Sequence, residues 1–208
     1  MLMTFKDRMD ARMSALCQRV ADRLPARVIR RADGRPYLVR HLICRLPGGR
    51  RLYLHRFVAS DDLDVIHDHP ARFISLILAG AYREERAVHV PELNGPSITD
   101  HRHGRGSVNR IRLGRWHRIV LETPEVWSLV YRGRTRRQWS LRRILWRSSA
   151  EGRWPYRDTP MPPATDSDWA DRPSGRVVRE ALAAEAQGAR QRRLEVQFVK
   201  TKEVANAD

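Results

Sequence analysis

From about residue 28 to 147 the sequence is a succession of short alternating segments separated by turn residues. That pattern constrains the fold more than anything else in the chain. Residues 28–31 and 35–45 flank Ala32-Asp33-Gly34, and Pro47-Gly48-Gly49 turns the chain into residues 50–59. An apolar run, Phe73-Ile74-Ser75-Leu76-Ile77-Leu78, ends at the turn residue Gly80, and residues 81–90 read as the next strand. Residues 107–113 and 117–121 flank Gly114; residues 126–131 and 137–145 follow. Strands this short, joined by turns this tight, predict antiparallel β structure.

One of these segments carries Val65-Ile66-His67-Asp68-His69-Pro70. A strand has a side-chain period of two, so His67 and His69 point to the same face while Asp68 points to the other. Two neutral imidazoles side by side are what two ligands of one metal ion require. In residues 50–59, Tyr53, His55 and Phe57 likewise share a face. His55 is read either as a group lining the interior near the metal or as a structural histidine. Asp61, Asp62 and Asp64 lie just before the histidine pair. They are read either as carboxylates that orient a ligand imidazole through its second nitrogen or as turn and cap residues. Tyr82 and Glu84 share a strand face and are the candidate catalytic residues; Glu84 is read as a carboxylate ligand or acid/base, or as an exposed strand glutamate. Residues 91–105 are rich in Pro, Gly and Asn and read as a loop, so the second pair, His101 and His103, is set aside as a metal site.

Two stretches together resemble the two signature motifs of the cupin superfamily. Against the first motif, G-x5-H-x-H-x3/4-E-x6-G, His67, His69 and Gly80 match, Asp61 stands at the glycine and Phe73 at the glutamate. Against the second, G-x5-P-x-G-x2-H-x3-N, Gly106, Gly114 and His117 match, Arg112 replaces the proline and Leu121 the asparagine. The chain is also similar, over about residues 35–158, to small cupin-like proteins of bacteria and phages. That likeness is carried by Tyr37-Leu38-Val39-Arg40, Leu54-His55-Arg56-Phe57, Ser60-Asp61-Asp62, Gly80-Ala81-Tyr82-Arg83-Glu84 and His117-Arg118. The resemblance implies an all-β core, a small antiparallel jelly-roll barrel, with His117 brought opposite His67 and His69 as a third ligand. It also implies one divalent transition metal: iron for an oxygenase, with Zn, Ni or Mn as alternatives. Imidazole donors alone do not choose among them.

The expected domain plan is an N-terminal amphipathic helix (1–27), a cupin-like barrel (28–158), and a proline-rich linker with a basic, partly helical tail (159–208). Leu2, Phe5, Met9, Met13, Leu16, Val20 and Leu24 recur at three- and four-residue steps, which predicts a helix packed outside the barrel. The tail begins with Thr159-Pro160-Met161-Pro162-Pro163 and is expected to add little to barrel stability. Residues 176–193 read as a helix started by Ser174, and residues 194–199 as a short strand. Trp139, Trp146, Trp154 and Tyr156 are expected to cover one barrel end.

The formal charge of +16 is due to arginine almost alone, since Lys6, Lys200 and Lys202 are the only lysines. It is read either as a nucleic-acid-binding surface or as a solvated surface in which arginine replaces lysine. Two cysteines in separate segments, no apolar run of roughly 18 residues and no signal-peptide pattern predict a cytoplasmic protein without a membrane span. Two functions compete. One is a metal-dependent enzyme, an oxygenase, acting on a small and anionic molecule in the barrel, with Arg72, Arg112 and Arg115 at the rim as substrate-binding residues. The other is a non-catalytic metal-binding or assembly protein engaging nucleic acid or a protein partner, including a second copy of itself.

Overall fold

A computed structural model of the chain describes residues 4–31, 33–62, 65–90, 95–138, 140–144, 156–160 and 169–205. Helix α1 spans Phe5–Ala21 and opens with a capping box. The Thr4 hydroxyl accepts from the Asp7 amide at 3.2 Å, and the Asp7 carboxylate accepts from the Thr4 amide at 3.0 Å. Two of the first four orphan amides of the helix are satisfied this way. The buried face differs from the expected stripe. Cys17 and Ala21, with Met13 and Leu24, pack on Leu54, Ala79 and Trp127, while Phe5, Leu16 and Val20 are exposed. Small side chains at 17 and 21 let the helix lie close to the sheet, which is why the seam runs through them rather than through the bulkier neighbours. Leu2 lies outside the described residues.

Among the described residues twelve strands follow: β1 Ala26–Arg30, β2 Pro36–Leu46, β3 Arg50–Phe57, β4 Val65–His67, β5 Phe73–Ala79, β6 Ala81–Val90, β7 Gly95–Gly104, β8 Val108–Ile111, β9 His117–Leu121, β10 Val126–Arg132, β11 Ser140–Ile144 and β12 Tyr156–Pro160. They form two six-stranded sheets, β1-β2-β3-β10-β5-β8 and β12-β11-β4-β9-β6-β7. Within residues 50–132 the first strand pairs with the last and so inward: β3 with β10, β4 with β9, β5 with β8, β6 with β7, all antiparallel. A long hairpin has been rolled up, and its rolled edges meet where β10 joins β5 and β9 joins β6. That strand order is a jelly roll. The all-β expectation, with one helix outside, is met by the chain's own topology.

Gly80 makes the tight corner between β5 and β6 at φ 78°, where a Cβ would lie 2.3 Å from the Glu125 carbonyl oxygen. Only glycine meets both the left-handed backbone and the close approach. Between the sheets sit two apolar clusters. One contains Leu42, Tyr53, Phe73, Ile111 and Val130; the other contains Leu38, Phe57, Ile77, Tyr82, Ile119 and Val126.

Three expectations are corrected. The part of the 91–105 loop that is described is strand β7, zipped along β6 from Ala81↔Gly104 to Val90↔Gly95; backbone pairing overrides the loop-forming composition. Residues 194–199 are not a strand but continue helix α2, Gly175–Ala205. The tail is also packed into the molecule rather than hung from it. Trp169, in the 3₁₀ turn Trp169–Asp171, is buried with a side-chain ring 5.7 Å from Tyr53 in the first apolar cluster. Val178 and Leu182 of α2 pack on Ala26, Val28 and Val39. The Arg179 guanidinium donates to Asp22 at 3.0 and 3.1 Å. Ser174 does stand at the helix start, its hydroxyl accepting from the Val177 amide at 3.5 Å. Trp139, Trp146 and Trp154, expected at the barrel end, and residues 161–166 of the linker lie outside the described residues, while Tyr156 opens β12. Among the described residues no helix is long and apolar enough to cross a membrane.

Candidate metal centre

His67 ends β4, His69 follows it in the turn to β5, and His117 opens β9. The sheet register sets His67 directly opposite His117. Each of the three offers a ring nitrogen, and these nitrogens all lie within 4.8 Å of one another. The Nε2 atoms of His69 and His117 are 2.8 Å apart. Two nitrogens held by one ion at about 2.0–2.1 Å sit about 3–3.4 Å from each other, so little movement separates this arrangement from a coordinated one. The donor set therefore fits a divalent transition metal. Among the described residues this is the one such group of metal-binding side chains.

The outer faces of the rings are held from behind. Nδ1 of His117 lies 2.8 Å from Glu84 Oε1, with both side chains fully buried. Nδ1 of His67 lies 3.8 Å from Asp61 Oδ2, whose carboxylate also accepts from the Ile119 amide at 2.6 Å. Asp61 thus ties the His67 strand to the strand bearing His117. At 2.8 Å the Glu84 carboxylate is close enough to fix the His117 tautomer and turn its Nε2 inward as a lone-pair donor, whereas Asp61, at 3.8 Å, is too far to hydrogen-bond His67 directly. Burial pushes the His67 pKa down to about 4 and drives that of His69 well below its usual range, so both are neutral donors near pH 7.

Glu84 is the hub of a buried polar network. Burial opposes its ionisation, yet contacts with His103, His117 and Arg86 hold its carboxyl far below the usual carboxylate range. Arg86 donates to Glu84 Oε2 at 2.7 Å, and Asn109 donates to it at 2.9 Å and to the Tyr82 hydroxyl at 3.0 Å. His103 Nε2 lies 3.3 Å from the same oxygen. Glu84 therefore stands behind His117, and Tyr82 reaches that carboxylate only through Asn109. At the position of the missing motif glutamate, Phe73 packs its ring 4.6 Å from that of His69.

The remaining candidates disperse. His55 is buried on the interior face between Tyr53 and Phe57, where its Nε2 accepts from Arg40 Nε at 3.2 Å; it is not in the histidine group. Asp62 faces Arg31 at 3.7 Å, and Asp64 lies outside the described residues. Asp68, on the opposite face as its alternation predicts, accepts from the Ser140 amide at 2.8 Å and contacts Arg137, joining β4 to β11. Arg72 and Arg112 are exposed, and Arg115 is half-buried with its guanidinium donating to the Arg110 carbonyl at 3.3 Å. His101 is exposed on β7. Sequence reasoning passed over Asn109, Arg86 and His103, whose shared target is a side chain on a neighbouring strand. An asparagine at an inward strand position, between Val108 and Arg110, was the available signal, since Asn is depleted from strands.

No family model and no curated protein matches the sequence. Among solved structures the chain is similar to an Fe(II) form of HppE, at 13% identity over 54% of this chain and 57% of that one, with a TM-score of 0.42. It is similar to hydroxypropylphosphonic acid epoxidase from S. wedmorenis at 10% identity over 52% and 55%, with a TM-score of 0.39. A conserved protein of unknown function from Streptococcus pyogenes matches at 10% identity over 48% and 76%, with a TM-score of 0.35. The chain spans little more than half the length of the first two. The fold rests on the strand order above, and the centre on its own geometry.

Proposed function

We propose that the chain is a metal-dependent, cupin-type protein that binds or acts on a small molecule inside the barrel, and that its reaction is an oxygenation at a three-histidine iron centre. The observation that carries this reading is the convergence of His67, His69 and His117 with a carboxylate behind two of the three rings. His67, His69 and His117 would hold the ion. A divalent metal with open positions supplies Lewis-acid polarisation and, as iron, redox chemistry with dioxygen. The chain's own residues do the rest. Glu84 holds the His117 ring, Asp61 ties the His67 segment to the Ile119 amide, and Phe73 keeps a charged donor away from His69. The apolar clusters on either side of the polar interior exclude bulk water, which strengthens every charge interaction there.

Metal analysis of protein purified without added metal is the test. About one divalent ion per chain is expected, with His117→Ala losing most of it and His101→Ala losing none. Equal loss from both variants would move the site to β7 and sink the reading. The nucleic-acid reading keeps one supporting feature, the exposed Arg134, Arg136 and Arg137 of the β10–β11 loop. Salt-sensitive binding to DNA or RNA that persists in His117→Ala would favour it.

A further inference from the structure

Three loops meet at the histidine end of the barrel, and each is tied to a ligand. Residues 70–72 directly follow His69, and residues 112–116 lead into His117. The β10–β11 loop, residues 133–138, is bonded to the first of these. The Gly133 amide donates to the Arg72 carbonyl at 2.9 Å, and the Arg136 amide to the Pro70 carbonyl at 2.8 Å. Arg137 of the same loop contacts Asp68, which stands between His67 and His69 in the chain. Its Nη2 would lie 3.9 Å from a Cβ placed on Gly114, so the third loop is beside it as well. These stretches carry Arg72, Arg112, Arg115, Arg134, Arg136 and Arg137 and no carboxylate. Asp68 accounts for Arg137 alone. Arg115 donates to a neutral group, the Arg110 carbonyl, at 3.3 Å. Arg72, Arg112, Arg134 and Arg136 are exposed and have no carboxylate partner among the described residues. Arginines on the neighbouring strands do find one, as Arg83 does in Glu85 and Arg102 in Glu122.

We infer that Arg72, Arg112, Arg115, Arg134 and Arg136 form a binding face for the phosphate backbone of a single-stranded nucleic acid, laid across the end of the barrel that holds the candidate centre. Its position beside the centre rests on the metal-dependent reading above; the face itself rests on the three loops alone. Five like charges on joined loops repel one another until an anion lies among them. Guanidinium forks match phosphate oxygens in pairs, which favours phosphate over a halide or a single carboxylate. The arginines are spread over three loops and four of the five are exposed, so they make a track for repeated charges rather than a socket for one. A single strand bends to follow charges on separate loops, whereas a duplex is stiff over such a length. Arg72, Arg112 and Arg115 thus act outside the barrel, on a strand, and not as clamps on a molecule within it.

The test titrates a fluorescein-labelled oligo-dT of about 20 nucleotides with the full chain, read by anisotropy at NaCl from about 50 to 300 mM. Five phosphate contacts on a single strand predict that log K falls against log salt with a slope of about −3.5. Arg134→Gln with Arg136→Gln removes two contacts; the slope should flatten to about −2 and binding weaken about tenfold or more at low salt. Arg72→Gln with Arg112→Gln should do the same, and decides the matter if the first pair does not fold. Arg8→Gln with Arg12→Gln, exposed on α1, controls for overall charge and should change binding far less. Equal loss from the α1 pair overturns the inference, as does tighter binding of a duplex of the same length. Displacement of the strand by tripolyphosphate at equal phosphate concentration overturns it too, in favour of a small polyphosphate. Binding should survive in His117→Ala, so failure of the metal reading leaves the face standing. In the Co(II)-loaded chain the bound strand should slow removal of the metal by a chelator; an unchanged rate overturns its placement across the centre. Failure of the chain to hold Co(II) would instead overturn the metal reading.

Discussion

Trp169→Ala should destabilise the protein by about 3–5 kcal/mol, the range for removing a fully packed aromatic side chain. Trp169 is 3% exposed and lies in the cluster with Leu42, Tyr53, Ala71, Phe73, Ile111 and Val130, although it belongs to the segment after the last strand. A Trp side chain covers about 150–250 Å². At ~25 cal/mol per Å² of apolar surface its burial contributes about 4–6 kcal/mol, an upper bound that agrees with the mutational range. The strand register does not depend on the indole, so the variant should still fold. Urea unfolding of the metal-free protein is the assay: the midpoint should drop with an unchanged m-value. Val177→Ala, on the following helix α2 at a position 54% exposed, is the internal control and should stay within about 0.5 kcal/mol. A loss below about 1 kcal/mol for Trp169→Ala, with the m-value intact, would mean that this segment is not docked in solution. The tail would then be the dispensable appendage that its proline-rich approach suggests.

Glu84→Gln preserves shape and removes the charge behind His117; metal affinity, read by chelator competition, should fall about 10–100-fold while the fold survives. An unchanged affinity would reduce Glu84 to a packing residue. Burial lowers the pKa of His41 to about 4, and its ring Nδ1 lies 3.1 Å from the Leu54 carbonyl oxygen. The unfolded chain therefore takes up this proton first, near its ordinary pKa of about 6.5. Stability is complete above that pH and drains as pH falls towards 4, at about 1.4 kcal/mol per unit and ~3 kcal/mol in all. Urea midpoints measured across that window should show the slope, and His41→Gln should lessen it; an identical slope in the variant refutes the assignment. Gly175→Ala would set a Cβ 2.1 Å from the Ala21 carbonyl oxygen and 2.9 Å from His41 Cδ2, so a cost of about 1–3 kcal/mol is expected. An unshifted melting temperature would contradict the close approach of α2 to α1.

What the sequence made legible was whatever depends on neighbours along the chain. Period-two alternation put Tyr53, His55 and Phe57 on one face and turned Asp68 away from its histidine neighbours, and both placements hold. Turn glycines marked the corner after β5. What it hid depends on partners far away in sequence. Strand β7 looks like a loop by composition, and only β6 beside it makes it a strand. The buried stripe of α1 is set by how closely Cys17 and Ala21 let it approach Trp127, which helical periodicity alone does not specify. Residues 194–199 carry β-branched and aromatic residues, but they extend a helix already nucleated at Ser174, and propagation costs less than starting a strand without a partner. Glu84 was visible as a strand glutamate facing the same way as Tyr82. That it would stand behind His117, with Asn109 and Arg86 on its other oxygen, required the register of β6 against β9.

The first-with-last pairing of the roll has a kinetic meaning for the centre. Only β6 and β7 at the tip pair across a short connection; each pairing outward from them must close a longer loop, and such non-local contacts form late. The His67–His69 pair is local and exists in the open chain, whereas His117 joins it only when β9 swings across onto β4. A metal ion present during folding would therefore meet a two-nitrogen site first and a three-nitrogen site at closure. An ion held by all three would report, through its binding strength, on the closing of the roll.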